Sequence, residues 1–345
     1  MQVLIDGRSI TPKISGISRY TYELIKGYIR HYGFKNVCVI LNNEIESFPY
    51  NHLLCKYRRH NFVDNIKFSL WLSKQKYDIY HSGDLIGPFW HKRDVNHIVT
   101  CHDLMFIILQ DFWGSVSFKT KLRAYKNKMF FKLVLKGADE VISVSKTTQK
   151  DLLRIYKKES IVVREGINKI QTLSEPITYN ELAKHSFFLY VGLGSPHKNI
   201  DFLISSFLKS KTKRKLVICG KGHQIIKSDR IVYTGWISDG VLDFLYRNCA
   251  AFIFPSKYEG FGLPILEALS YHCRVFSSNA GSLGEFSDKY VNFFSPDQEK
   301  ELIELIEKCD NIVIDKEGID SYLQAFDWEK LWDEFHSHRR KAISQ

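Results

Sequence analysis

The stretch Phe254-Pro-Ser-Lys-Tyr-Glu-Gly-Phe-Gly-Leu-Pro-Ile-Leu-Glu267 reads as the end of a buried strand, a loop and the start of a helix. The apolar run closes at Phe254, two glycines follow, and Pro264 stands where a first helical turn begins. Gly260 and Gly262 let a ligand approach the backbone with no Cβ in the way. The helix start near Leu263 offers unpaired N–H groups and the positive end of a dipole, which suits a diphosphate. Glu259 lies in the loop and Glu267 about one turn inside the helix. Carboxylates do not bind phosphate, but they accept hydrogen bonds from sugar and ribose hydroxyls.

Outward from this stretch, short apolar runs alternate with longer amphipathic ones. Strands are expected at 2–5, 37–41, 79–81, 97–100, 140–144 and 161–163, then at 187–191, 215–218, 231–233, 250–254 and 274–277. Helical periodicity lies between them, as at 18–31, 147–156, 200–208 and 264–269. Alternating strands and helices predict α/β architecture with parallel sheets covered on both faces, and two such series predict two doubly wound, Rossmann-like domains. The length of 345 residues suits two cores. The expected boundaries are a domain at 1–170, a polar linker with Pro176 at 171–186, and a second domain at 187–326. A helix follows at 327–345, with Trp328, Leu331, Trp332 and Phe335 on one side, packing back on the first domain. Ligands in such folds bind beyond the carboxyl ends of the strands.

Hydrophobic residues make up 44% and charged residues 25%, the profile of a folded globular protein. No apolar run reaches the ~20 residues that span a bilayer. The first residues show no basic segment or cleavage pattern, so no signal peptide is expected, and unpaired thiols suit a cytoplasmic protein, free or peripheral on the inner face of the cytoplasmic membrane. The seven cysteines are scattered without a CxxC, which supports neither a disulfide framework nor a zinc site, and no metal or cofactor is expected. Residues 1–170 carry 28 Lys and Arg against 15 Asp and Glu, whereas the remainder carries 21 against 23. The whole basic excess therefore sits in the first half and points to a polyanion or an anionic membrane there.

Much of it lies in 118–136, which holds Lys119, Lys121, Arg123, Lys126, Lys128, Lys132 and Lys136 and no acid. Phe118, Leu122, Tyr125, Met129 and Leu133 recur at helical spacing, and Phe112-Trp113 lies just upstream. Two readings stand together: a basic amphipathic helix on an anionic membrane surface, and a core-packing helix with a solvated basic face. No nucleic-acid-binding module or base-stacking platform accompanies the charge, so nucleic acid is not an expected partner. A nicotinamide oxidoreductase is disfavoured because no G-x-G-x-x-G follows the first strand.

Two glutamates with seven residues between them, Glu259 and Glu267 around Glu259-Gly-Phe-Gly-Leu-Pro264, resemble the signature of the retaining GT-B glycosyltransferases of family 4. Other segments resemble the family in the same order: Asp6-Gly-Arg8 and Gly16-Ile-Ser-Arg-Tyr20, its N-terminal glycine loop; Cys101-His-Asp-Leu104, its HDL segment; and Val141-Ile-Ser-Val-Ser145, the closing strand of its first domain. Val191-Gly192 with His197-Lys-Asn199 resembles its phosphate turn, and the segment from Ser278 to Glu285 the one after the glutamate pair.

The resemblance implies a GT-B fold with two domains facing a central cleft, and transfer with retention from a nucleotide-sugar. It places Glu259 on the transferred sugar, Glu267 on the ribose, Lys198 and the Gly16 loop at the diphosphate and His102 near the donor sugar. Gly260, Phe261, Gly262 and Leu263 would complete the donor site. Leu193 and His197 occupy places where the family often carries arginine, which makes Arg19 and Lys221 further candidate cations, although Lys221 reads equally well as a solvated loop lysine. Ser270-Tyr-His-Cys273 and Gly284 also depart from the pattern. Asp6-Gly-Arg8, Gly16-Ile-Ser-Arg-Tyr20 and Ser278-Asn-Ala-Gly-Ser-Leu283 resemble bacterial mannosyl- and related transferases of surface-polysaccharide assembly. They imply a hexose, with mannose from GDP-mannose favoured and UDP- or dTDP-sugars open, passing to a polyprenyl-diphosphate-linked saccharide. A sugar-nucleotide epimerase of the same architecture is the alternative.

Overall fold

A computed structural model describes residues 1–11, 16–109, 118–167 and 184–343; the side chains of 118–119 and 338–343 are outside the description. Most of the linker expected at 171–186, and the Phe112-Trp113 pair, lie outside the described residues.

The chain divides into two compact units, Met1–Glu165 with Trp328–Gln345, and Gly166–Asp327. In the first unit the order is β1 (Val3–Asp6), α1 (Gly16–Tyr32), β2 (Val37–Leu41), β3 (His52–Leu54), α2 (Phe62–Leu72), β4 (Ile79–Ser82) and β5 (Asn96–Cys101). It continues with α3 (Met105–Ile108), α4 (Phe118–Lys136), β6 (Glu140–Ser143), α5 (Lys146–Tyr156) and β7 (Ile161–Val162). The second unit holds β8 (Phe187–Val191), α6 (Ile200–Lys209), β9 (Lys215–Cys219), β10 (Ile231–Gly235), α7 (Asp239–Asn248) and β11 (Ala251–Phe254). It ends with α8 (Leu263–Ser270), β12 (Val275–Ser278), β13 (Val291–Phe294), α9 (Glu299–Glu307) and α10 (Lys316–Leu323), after which α11 (Trp328–Ile343) belongs to the first unit.

Both sheets are parallel, in the orders β3-β2-β1-β4-β5-β6-β7 and β10-β9-β8-β11-β12-β13. Strand order reverses at β1/β4 in one and β8/β11 in the other. Loops leaving the two strands at such a point turn to opposite faces and open a crevice at their carboxyl ends. The central strands β1 and β11 are buried throughout, with apolar runs Val3-Leu-Ile5 and Ala251-Phe-Ile-Phe254.

Two strands escape the sequence reading, β3 and β13. Both are short strands at a sheet edge, and the exposed Leu53 and Leu54 of β3 give no alternation to read. Helix α4 has both a core-packed side and an exposed apolar stripe. Its core side is Phe130, Phe131, Val134 and Leu135, whereas Leu122, Tyr125 and Met129 are exposed among the lysines.

Helix α11 completes the core of the first unit. Trp328, Leu331, Trp332 and Phe335 are buried with Tyr20, Leu24, Ile25 and Tyr28 of α1. The helices approach so closely that a Cβ on Gly27 would lie 2.8 Å from the Trp332 ring. Trp332→Ala is expected to destabilise the protein by about 3–5 kcal/mol, from lost burial and the cavity left behind, as measured by denaturant unfolding.

Candidate active site

In the second unit the loop after β11 is built inward. Pro255, Ser256, Tyr258, Glu259 and Gly260 are buried, and only Lys257 among residues 255–260 is exposed. Gly262 caps α8 with φ +118°, a conformation that excludes side chains, and a Cβ there would meet Leu283 at 2.8 Å and Phe286 at 3.0 Å. Pro264 sits in the first turn, where its missing N–H costs nothing. The Phe261 ring packs against Phe286 and Phe326 at 5.6 and 6.2 Å, so it frames the loop from inside. Sequence reasoning missed the hydroxyls that hold this loop. Ser282 Oγ donates to the carbonyls of Glu259 and Phe261 at 2.8 and 2.9 Å, and Ser278 Oγ donates to Ser256 O at 2.5 Å.

Lys198 ends the short turn Pro196–Lys198 after β8. Its Nζ lies 2.6 Å from Glu259 Oε1, with both side chains mostly covered, and 5.2 Å from the centroid of the Phe254 ring. The turn is tied to the Glu259 loop by Lys257 N donating to His197 O at 2.7 Å. Asn199 starts α6 in the left-handed region and donates through Nδ2 to Pro296 O at 2.7 Å. The two residues expected at diphosphate and sugar are thus brought together on adjacent strands of the β8/β11 reversal.

Glu267 is half-buried and accepts a bond from Tyr246 Oη at 3.2 Å. Burial and the Glu267 charge hold the Tyr246 phenol well above its ordinary pKa, so it donates and does not ionise. Lys221 is exposed; its carbonyl accepts from Gly194 N at 2.9 Å where the turns after β8 and β9 meet. That meeting needs glycine on both sides, since a Cβ on Gly194 would fall 2.0 Å from Gly222 O and one on Gly220 1.8 Å from Gly192 O. His223 Nε2 at 2.9 Å from Gly192 O adds a clasp that the sequence did not signal.

In the first unit, Gly16 opens α1, with no described residue within 4 Å of where its Cβ would lie, and Arg19 lies half-buried in the same turn. Asp6 and Arg8 are internal. Arg8 Nη2 meets Asp6 Oδ2 at 2.6 Å with neither side chain exposed, Tyr80 donates to the same carboxylate at 2.6 Å, and the guanidinium lies 3.7 Å from the centroid of Phe68. Burial disfavours the Asp6 charge, but Arg8 outweighs it and holds the carboxyl below its usual range. This segment is a strut, with its charges satisfied inside the protein.

His102 follows β5 and lines a cavity of about 470 Å³ with Arg59, Asp84, Asp103, Arg123 and Asn127. Its Nδ1 lies 2.7 Å from Glu165 Oε1 and its Nε2 2.8 Å from Gly83 O. Burial lowers its pKa, but the bond to Glu165 and the charges of Glu165 and Asp84 outweigh burial and raise it to about 9. Glu165, an acid just past a strand's carboxyl end, was not singled out from sequence; its position was the available signal.

Residues 14–169 match the family described as Glycosyltransferase Family 4, and residues 177–311 that described as Glycosyl transferases group 1. The chain belongs to the group 1 glycosyltransferases. The O-antigen chain mannosyltransferase B of Escherichia coli is 26% identical, over 83% of this chain and 84% of that protein. The O-antigen chain mannosyltransferase of Salmonella typhimurium is 24% identical, over 76% of this chain and 75% of that protein. Among solved structures, Anabaena HepE in complex with UDP-glucose superposes with a TM-score of 0.70 at 15% identity, over 99% of this chain and 100% of that one. The fold of this glycosyltransferase is GT-B, as its sequence signature implied.

The Gly262 hinge gives a direct check on the loop. Gly262→Ala is expected to cost about 1–3 kcal/mol of stability through strain at a positive φ, measured by denaturant unfolding, and more if Leu283 cannot yield.

Proposed function

We propose that this enzyme transfers a hexose with retention from a nucleotide-sugar, GDP-mannose being favoured, to a polyprenyl-diphosphate-linked saccharide in surface-polysaccharide assembly. The observation that carries the reading is the Lys198–Glu259 contact of 2.6 Å. It puts a cation suited to a diphosphate beside a carboxylate suited to sugar hydroxyls, at the strand reversal where such folds bind ligands. Likeness to two O-antigen mannosyltransferases supports mannose and the polysaccharide setting. A UDP-sugar donor is the second reading, supported by the complex of HepE with UDP-glucose.

In the proposed reaction the acceptor oxygen bonds to the anomeric carbon on the face from which the diphosphate leaves. The carbon–phosphate-oxygen bond breaks, and the acceptor's proton passes to the departing phosphate. A donor phosphate oxygen competes with Glu259 for Lys198 Nζ, and Glu259 in exchange accepts from the sugar hydroxyls. Lys198 and the start of α8 offset charge developing on the diphosphate, and Glu267 accepts from the ribose. The cavity lined by His102 is assigned to the acceptor. The scheme assigns no step to a metal.

The test is a thermal-shift screen against GDP-, UDP-, dTDP- and ADP-sugars with NAD as control. A donor at a hundred times its Kd should add about 2.7 kcal/mol, and Glu267→Ala should abolish the gain. With that donor, Lys198→Ala and Glu259→Ala should each lower turnover at least about tenfold with the fold intact. Near-normal turnover in both variants would remove the assignment.

The acceptor's lipid calls for a membrane surface, and we assign it to the face carrying α2 and α4. No helix among the described residues is long and apolar enough to cross a membrane. The outward Leu122, Tyr125 and Met129 of α4 lie among Lys121, Arg123, Lys126, Lys128 and Lys132, all exposed. Helix α2 meets α4 through Phe62 and Phe130 and exposes Val63, Ile66 and Leu70. Apolar side chains interleaved with cations suit an anionic lipid surface. The protein should sediment with vesicles containing phosphatidylglycerol at low salt, and Ile66→Glu with Leu70→Glu should release it; no sedimentation by the native protein refutes the assignment.

A further inference from the structure

One enclosed polar arrangement in the first unit is left unused by the transfer scheme. His102 follows β5 and Glu165 lies just past β7, two strands across the same sheet. The parallel order brings their side chains together although they are 63 residues apart. His102 meets an oxygen at each ring nitrogen, Glu165 Oε1 at 2.7 Å and Gly83 O at 2.8 Å. The ring is held edge-on by Tyr20 at 4.7 Å between centroids, and its backbone carbonyl accepts from Thr148 Oγ1 at 3.1 Å.

A backbone carbonyl has no proton to give, so Nε2 must donate to Gly83 O. At Nδ1 the shared proton sits on the ring or on the carboxyl. Ordinary basicities, about 6.5 for imidazole against about 4.3 for a glutamate, put it on the ring. The neighbouring charges agree. Asp84 and Asp103 line the same cavity, and the nearby cation Arg59 is ion-paired with Asp84. His60 and Arg123 complete the charged lining, Arg123 from α4.

We propose that Glu165 is a positioning residue for the transfer: it fixes His102 as an imidazolium with both N–H bonds committed, a permanent cation in the cavity and not a proton acceptor. The proposal rests on assigning that cavity to the acceptor. A histidine beside an attacking hydroxyl is ordinarily a candidate general base. Here neither ring nitrogen has a lone pair to offer. The acceptor's proton must therefore leave by another route, which agrees with its passing to the departing phosphate. The charge of His102 stays constant through neutral pH and is lost only as the pH rises through about 9.

The experiment is an NMR titration of the full protein carrying ring-labelled histidine, from pH 5 to 10, with the His102 signal identified by its loss in His102→Gln. The native protein should keep His102 charged past pH 8, and Glu165→Gln should return it to about 6.5. Transfer is then measured against pH. In Glu165→Gln, kcat should match the native value near pH 6 and fall at least tenfold below it at pH 8, with KM for the donor unchanged. A merely structural role would lower kcat at every pH alike. If native His102 titrates near 6.5, or if the alkaline limb does not move in Glu165→Gln, the proposal is overturned. The titration needs no substrate, so absence of transfer with every donor would count against the transferase scheme and not against the charge state.

Discussion

Parallel pairing is the constraint on which the rest depends. A parallel strand cannot return through a hairpin, so every connection crosses over and every strand leaves its sheet in the same direction. Residues that are distant in the chain then gather at one end of each sheet. Lys198 after β8, Glu259 after β11 and Ser282 after β12 share an end of one sheet; His102 after β5 and Glu165 after β7 share an end of the other. Buried apolar strands such as Phe187–Val191 supply the rigidity that fixes these ends.

Three ion pairs show how similar partners serve different ends. Asp6 and Arg8 are fully enclosed, meet several partners and are structural. Lys198 and Glu259 are mostly covered yet border a glycine-lined loop, and the proposed function has a ligand exchange with each of them. His102 and Glu165 line a cavity but have both ring nitrogens engaged, which fixes charge and prevents exchange. What distinguishes the three is the number of competing partners and the access to each.

The fold was legible because its signals are repetitive. Runs of three to five residues, alternating with amphipathic stretches, mark eleven strands, and among the described residues only the edge strands β3 and β13 lacked the pattern. The strand–loop–helix turn around Glu259 was legible because glycine and proline have few other reasons to stand at Gly260, Gly262 and Pro264. Long-range partners were not legible. Nothing in the order of residues pairs Lys198 with Glu259, Glu165 with His102 or Ser282 with the Glu259 loop, because those contacts arise from strand order. Periodicity in α4 marked a helix but left open which side turns inward: Phe130 and Phe131 take the core and Tyr125 faces outward.

Helix α11 has a consequence for biosynthesis. The second unit is contiguous in the chain, whereas the first draws Trp332 and Phe335 from beyond it. A ribosome therefore releases most of the first unit long before the side chains that fill its core exist. During that interval the groove along α1, with Gly27 at its floor, stands open to water and to other nascent chains. The second unit has everything it needs first, so the part made earliest is the last to become solid.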